Sequence, residues 1–174
     1  MIVELTLLGF IIRYIKDKNF KFLDEFNLKN IKFLLAGIII KLFIINFLNT
    51  DFLRRYYYLI DTIFLLVISF FLFSNGKILA ISGLGTMLNA LVIFLNKKMP
   101  VSEKFAHLVM DSKKYEILKN GDVLTHGFIN NPKLRILSDI IPIPKPYIYP
   151  RLISVGDILI SIGIFIFILS SKEN

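Results

Sequence analysis

Two aspartates near the end of the chain are the residues with the clearest chemical potential. Asp139 precedes a segment containing four prolines, and Asp157 lies a few residues inside the last long apolar run. A carboxylate in such a run is costly and indicates a functional role. Two carboxylates held close together cannot both ionise easily, so one can act as an acid while the other acts as a base on a water molecule. The sequence therefore predicts Asp139 and Asp157 as the catalytic pair of an aspartyl hydrolase.

A second interpretation stays open, because an extended chain between the two aspartates could hold them far apart. Asp139 would then end a short helix, and Asp157 would form a hydrogen bond with Asn89 of a neighbouring helix. Under this interpretation both carboxylates are structural and have no catalytic role.

Polar and small side chains recur at helical spacing around these positions. Ser154, Asp157 and Ser161 share one helix face, and Gly156 and Gly163 form a second face that another helix can approach closely. Asn89 and Asn96 also share a face of the preceding apolar run. We expect Asn89, Asn96 and Ser154 to be binding residues beside the two aspartates.

Several classes of site and partner are not expected. The chain has no cysteine, and its two histidines have no partner at metal-ligand spacing, so we predict no metal and no cofactor. The net charge is +8, but Lys and Arg flank the apolar runs and form no single stripe. This distribution is typical of topology signals and anionic-lipid contacts, and we expect no nucleic acid as a partner.

The elements that carry these residues are long apolar runs. The chain has 174 residues, 55% of them hydrophobic, and a mean hydropathy of +0.67. The apolar runs cover residues 1–15, 31–48, 56–73, 78–95 and 152–169. They predict an all-α, polytopic integral membrane protein with about five transmembrane helices, in which residues 1–174 form a single membrane domain. Residues 96–150 would form one extramembrane segment of about 55 residues.

Local patterns add detail to this scheme. The first run is short for a span, so an interfacial helix is the competing interpretation. Residues 17–30 resemble an amphipathic link on the membrane surface, and Lys41 and Asp61 fall at a depth where they can pair. Within residues 96–150 we expect a helix over 102–110, a hairpin around Asn120-Gly121, a short helix from Asn131-Pro132, and an extended path through the prolines.

The basic residues also bear on orientation. Six of them lie between or at the ends of the first two runs, which places that link in the cytoplasm and the N-terminus outside. The segment 96–150 carries nine basic residues of its own, which favours the reverse orientation.

Two blocks of sequence carry a resemblance to a known family. They are LNALVIFLNKKMPVS at 88–102 and LSDIIPIPKPYIYPRLISVGDILISIGI at 137–164. These blocks resemble an uncharacterised bacterial family of multi-pass membrane proteins, domain of unknown function 5317. The resemblance covers nearly the whole chain and implies a membrane location and about five helices, without a known activity.

A fainter likeness is to lipoprotein signal peptidase, in which an Asn-containing helix and two aspartates are arranged in a comparable order. Asn89, Asp139, Pro150 and Asp157 take the comparable positions here, although Ile153-Ser154-Val155-Gly156 differs from that family's motif before the second aspartate. The likeness implies aspartyl hydrolysis of a membrane-bound peptide.

The expectation for function is therefore a multi-pass protein of the cell membrane, in contact with the lipid bilayer. Its site, at the tops of the last two spans, would act on a membrane-bound peptide or lipid. The rival interpretation is a non-enzymatic membrane partner or sensor whose aspartates are structural. A small-solute transporter is third, because the sequence has no paired inverted halves.

Overall fold

The chain is mostly helical, with four short strands near its C-terminal end. The computed structural model describes residues 1–19 and 28–170, so most of the predicted amphipathic link over 17–30 lies outside the described residues. The helices are α1 (Ile2–Asp17), α2 (Ile31–Phe47), α3 (Thr50–Ser74), α4 (Lys77–Asn96), α5 (Glu103–Ala106), α6 (Ser112–Lys119) and α7 (Val155–Ser170). The strands are β1 (Met99–Val101), β2 (His126–Phe128), β3 (Ile141–Ile143) and β4 (Arg151–Ile153).

The five long helices pack in the order α2, α3, α4, α7, α1. Helices α3 and α4 form an antiparallel hairpin, with its turn at Asn75-Gly76. Helix α3 begins at Thr50, earlier than the predicted residue 56, because the Asn49 side chain accepts a hydrogen bond from the Asp51 amide and caps the helix. Between α2 and α3, Lys41 Nζ lies 2.5 Å from Asp61 Oδ1, which confirms the predicted charge pair.

Helices α4 and α7 approach each other through glycines. A Cβ atom at Gly85 would overlap the carbonyl oxygen of Gly156 and lie 2.9 Å from Leu159 Cβ. A Cβ at Gly163 would overlap Ser82, whose hydroxyl donates to the Ile160 carbonyl at 2.9 Å. The predicted small-residue face is thus where the two backbones meet, and this contact holds the start of α7 beside the end of α4.

Contacts at the helix ends define the two ends of the bundle. At one end, Arg151 donates to Glu4 at 2.7 Å, so α1 starts beside β4. At the other end, the Lys29 amide donates to Asn75 at 2.6 Å and Arg13 donates to the Leu169 carbonyl at 2.8 Å. The starts of α1 and α3 and the end of α4 therefore share the end that carries the strands.

Residues 97–154, the strand-rich segment, fold over that end. Strands β1 and β2 pair in parallel, and the backbone of Asp139 bridges to the other side of β1 at Val101. Strands β3 and β4 form an antiparallel pair with Ile141 opposite Ile153. The all-α prediction is therefore accurate for the bundle and too narrow for this segment, where prolines favour extended backbone.

Some local predictions in this segment differ from the structure. The hairpin around Asn120-Gly121 is wrong: the residues before it form α6, because the Asp111 carboxylate accepts the Lys114 amide at 2.8 Å and caps a helix. The helix expected over 102–110 is limited to α5, and the one expected from Asn131-Pro132 is a single 3₁₀ turn at Arg135–Leu137.

Two helices of the described chain, α3 and α4, are long and apolar enough to cross a membrane. Helix α7 is apolar but shorter. At 1.5 Å per residue, the 16 residues of α1 extend about 24 Å, less than the thickness of a bilayer core.

Candidate functional site

The two predicted aspartates line one cavity. The β3–β4 hairpin places Asp139, just before β3, at the same end as Asp157, just after β4, because the strands pair in register. The cavity has a volume of about 330 Å³, and its polar lining residues are His126, Asp139, Arg151 and Asp157. The proline-containing segment therefore folds back on itself and leaves both carboxylates beside the same cavity.

Asp157 is held by hydrogen bonds on both carboxylate oxygens. Its Oδ1 accepts from Asn89 Nδ2 at 3.0 Å, and its Oδ2 accepts from the Ser154 amide at 3.1 Å. In return, the Asp157 amide donates to Ser154 Oγ at 3.0 Å, which completes a reciprocal capping box at the start of α7. The predicted bond to Asn89 is confirmed, and these contacts fix the direction of the carboxylate.

Asp139 has a very different environment. Its backbone is fixed, since its amide donates to the Pro100 carbonyl and its carbonyl accepts from the Ser102 amide, both at 3.0 Å. The residue is only 6% exposed, and its Oδ1 is buried without a hydrogen bond to any described residue. Burial, together with the nearby charge of Asp157, raises the pKa of Asp139 to about 8. The group is therefore a protonated acid at neutral pH.

His126 is a candidate site residue that the sequence did not reveal. Its Nε2 lies 3.5 Å from Asp139 Oδ2, and its Nδ1 lies 2.7 Å from Thr125 Oγ1. Burial lowers the pKa of His126, and the carboxylates of Asp157 and Asp61 act in the opposite direction. The imidazole side chain is 45% exposed, so a molecule in the cavity can reach it.

Strand pairing explains why His126 was missed. Strand β2 pairs with β1 on one side, and Asp139 bridges to β1 on the other. This arrangement joins residues far apart in sequence, and a three-residue strand has no periodicity that would predict it.

The predicted binding residues divide into two groups. Asn89 and Ser154 contact Asp157, and Ser154 Oγ also donates to Asn89 Oδ1 at 2.9 Å. Both act on the cavity through Asp157. Asn96 instead joins two elements, because its side chain accepts from the Lys133 amide at 2.9 Å and donates to the Lys133 carbonyl at 3.0 Å. It fixes the loop before the 3₁₀ turn to the end of α4.

The remaining groups limit the chemistry of the cavity. The Arg151 guanidinium is paired with the Glu4 carboxylate, which fixes its position and compensates its positive charge. Within residues 1–19 and 28–170, no three His, Cys, Asp or Glu side chains are close enough together to hold a metal ion. The titratable groups that face the cavity suit proton transfer between a neutral imidazole and a protonated carboxyl.

Comparisons with known proteins give a family without an activity. The likeness to lipoprotein signal peptidase gains no support, since comparisons with curated proteins and with solved structures found no match. One family model matches residues 25–169, which include every aspartate and histidine of the cavity. The chain therefore belongs to the family of unknown function DUF5317.

Proposed function

We propose that the chain is a polytopic membrane protein in which all five long helices cross the cell membrane. The main support is the outer surface of the bundle, where large apolar side chains are exposed on every long helix. For example, the exposed fraction of the residue is 66% for Val3, 66% for Ile39, 62% for Ile63 and 51% for Phe94. Water would not stabilise such a surface, whereas lipid would.

The buried charges are consistent with the same environment. Lys41 pairs with Asp61, and the Arg13 side chain, which is 1% exposed, donates to Asp17 at 2.7 Å. Charged groups within a bilayer are paired or turned toward the bundle interior, as these are. The three shorter helices span with their polar flanking residues at the interface.

The proposed activity is hydrolysis of a membrane-bound peptide or lipid at the Asp139–His126 cavity. A single observation carries this proposal: a buried Asp139 carboxyl, with a pKa of about 8, lies 3.5 Å from the imidazole of His126. Neighbouring groups whose pKa values have been moved apart are the arrangement that acid–base catalysis uses.

The chemistry follows from these protonation states. The neutral His126 takes a proton from a water molecule as the water oxygen attacks the acyl carbon of the substrate. Asp139 donates its proton to the leaving amine or alcohol as the acyl bond breaks. The protonated His126 then passes its proton to the Asp139 carboxylate, which returns both side chains to their starting states. Asp157 takes no part in the proton transfer, and its charge helps to keep Asp139 protonated.

The test uses the full chain in proteoliposomes of phosphatidylethanolamine and phosphatidylglycerol, with fluorogenic acyl esters and lipid-anchored peptides as probes. We expect Asp139→Asn and His126→Gln each to lower the rate by about 10²-fold or more, the usual contribution of a general acid or base. Asp122→Asn, an exposed carboxylate outside the cavity, is the matched control and should retain full activity. An Asp139→Asn variant as active as the unaltered chain, or no cleavage of either probe class, would contradict the proposal.

The second candidate is a non-enzymatic membrane partner protein. The observation in its favour is that both oxygens of Asp157 already serve the helix cap and Asn89, as a structural role requires. A pull-down from native membrane distinguishes the candidates: a partner retained equally by the unaltered chain and by Asp139→Asn, with no hydrolysis, favours this one.

A further inference from the structure

A second cavity lies next to the first and is lined by a different set of side chains. Its volume is about 220 Å³, and it lies between β1, the end of β2 and the 3₁₀ turn. Ser138 lines this cavity, whereas the next residue, Asp139, lines the first. The backbone at Ser138 is extended, with φ −80° and ψ 175°, so consecutive side chains point to opposite sides.

Ser138 carries an unused hydroxyl. The residue is 1% exposed, and its Oγ has no hydrogen-bond partner among the described residues. A buried hydroxyl without a partner is destabilising, and folded proteins rarely leave one unsatisfied. An acceptor bound in the cavity would give this hydroxyl its partner.

The other polar groups of the cavity are mostly donors. Arg135 and Lys104 supply two positive charges, and Asn130 and Asn131 supply amides. The carboxylate in the lining belongs to Glu103, and it already accepts a hydrogen bond from the Tyr115 hydroxyl at 2.6 Å. Guanidinium, ammonium, amide and hydroxyl donors together suit a tetrahedral oxyanion, and the planar fork of Arg matches two phosphate oxygens.

We infer that this second cavity binds a phosphate group, and that its source is the headgroup of a membrane phospholipid. The location argues for the lipid. Asn96 fixes the loop at Lys133 to the end of α4, and next to it Leu134 and Ile136 expose 43% and 75% of their apolar surfaces on either side of Arg135. Exposed apolar side chains in this position can contact lipid tails, while the basic side chains Arg135 and Lys104 reach the level of the anionic headgroups. Inorganic phosphate shares this chemistry and is the alternative source.

The test compares both sources on the full chain in neutral-detergent micelles. Binding of inorganic phosphate is measured by ³¹P NMR, and binding of phosphatidic acid is measured by its retention on the protein against a phosphatidylcholine background. Arg135→Gln should weaken binding of phosphatidic acid about tenfold or more, since a hydrogen bond to a charged group is worth about that much. Lys133→Gln, an equal change of charge in the same loop, should stay within about twofold.

Ser138→Ala separates a ligand contact from a structural role. It removes a hydroxyl that has no partner in the folded chain, so thermal stability should be unchanged or higher, while phosphatidic acid binding falls several-fold. The site is supported if Arg135→Gln and Ser138→Ala weaken the binding of phosphatidic acid and Lys133→Gln does not. Retention of phosphatidic acid identifies the lipid, whereas binding of inorganic phosphate alone would overturn the lipid source. If neither phosphatidic acid nor inorganic phosphate binds, or if Lys133→Gln weakens binding as much as Arg135→Gln does, the site itself is overturned.

Discussion

At the residue scale, one cavity gives two aspartates opposite properties. Asp157 accepts two hydrogen bonds, from Asn89 and from the backbone at Ser154, so both of its carboxylate oxygens have a donor. Asp139 has a buried oxygen with no described donor, which favours its neutral form. The sequence was sufficient to select both carboxylates and Asn89, because polar residues beside or within apolar runs are conspicuous. The sequence could not show which of the two carboxyl groups keeps its proton, since the number of hydrogen-bond donors around each depends on tertiary contacts.

The raised pKa of Asp139 predicts a specific dependence of stability on pH. Between pH 3.8, its ordinary value, and about 8 the unfolded chain loses this proton and the folded chain keeps it. Stability should therefore fall as pH rises through that window and level off above it. Asp139→Asn removes the titration, so the variant should be more stable than the unaltered chain above pH 8, by up to a few kcal/mol.

Thermal unfolding followed by circular dichroism suits a chain without tryptophan. The control is Asp122→Asn, which should reproduce the unaltered pH profile. A constant difference in stability between Asp139→Asn and the unaltered chain from pH 4 to 8 would show that the carboxyl is ionised throughout, contrary to the expectation.

At the element scale, the contact of α4 with α7 positions the site. It holds Asn89 within hydrogen-bond distance of Asp157, because glycines at the contact leave no side chain between the two backbones. The sequence predicted this contact, because small residues at helical spacing are a direct pattern. The short strands were not predictable in the same way, because each has three residues and derives its stability from pairing with distant segments.

Gly85→Ala should be a damaging small substitution in this contact. The added methyl group would meet the Gly156 carbonyl, Leu159 Cβ and the Ile160 amide, which are backbone or rigid atoms. We expect a loss of about 1–3 kcal/mol in the free energy of unfolding, as for other overpacked sites. Gly37→Ala is the matched control: its methyl group would meet a Val67 methyl at 3.3 Å, which can move, so the change should stay within about 1 kcal/mol. Equal losses in the two variants would show that the contact is looser than the structure indicates.

At the scale of the whole molecule, the five crossings that we propose would put the two termini of the bundle on opposite sides. The start of α1 and the strand-rich segment share one end, joined by Arg151 and Glu4, and the turn at Asn75 lies at the other. The apolar runs predicted this up-and-down arrangement well. They could not predict the neighbours of each helix, because α1 packs against α7 and not against α2, the next helix along the chain.

The absence of native cysteine allows a direct test of this topology. Single substitutions Thr50→Cys and Ser112→Cys lie at the strand-bearing end, and Lys77→Cys lies at the opposite end. A membrane-impermeant maleimide added to intact cells should label the first two and leave the third unlabelled, because the N-terminus is expected outside. If Lys77→Cys alone is labelled, the orientation is the reverse of the expected one, with the N-terminus inside. Labelling of Thr50→Cys and Ser112→Cys from different sides would contradict five crossings.

The pairing of α1 with α7 has a consequence for how the protein is made. α1 is synthesised before α7, yet the carbonyl that receives Arg13 belongs to Leu169 of α7. Until α7 has been made, Arg13 lacks this acceptor, and Asp17 of the same helix is already available as its ion-pair partner. The contact between α1 and α7 can therefore form only after α7 has been made, and a chain that stalls before α7 lacks the carbonyl that receives Arg13.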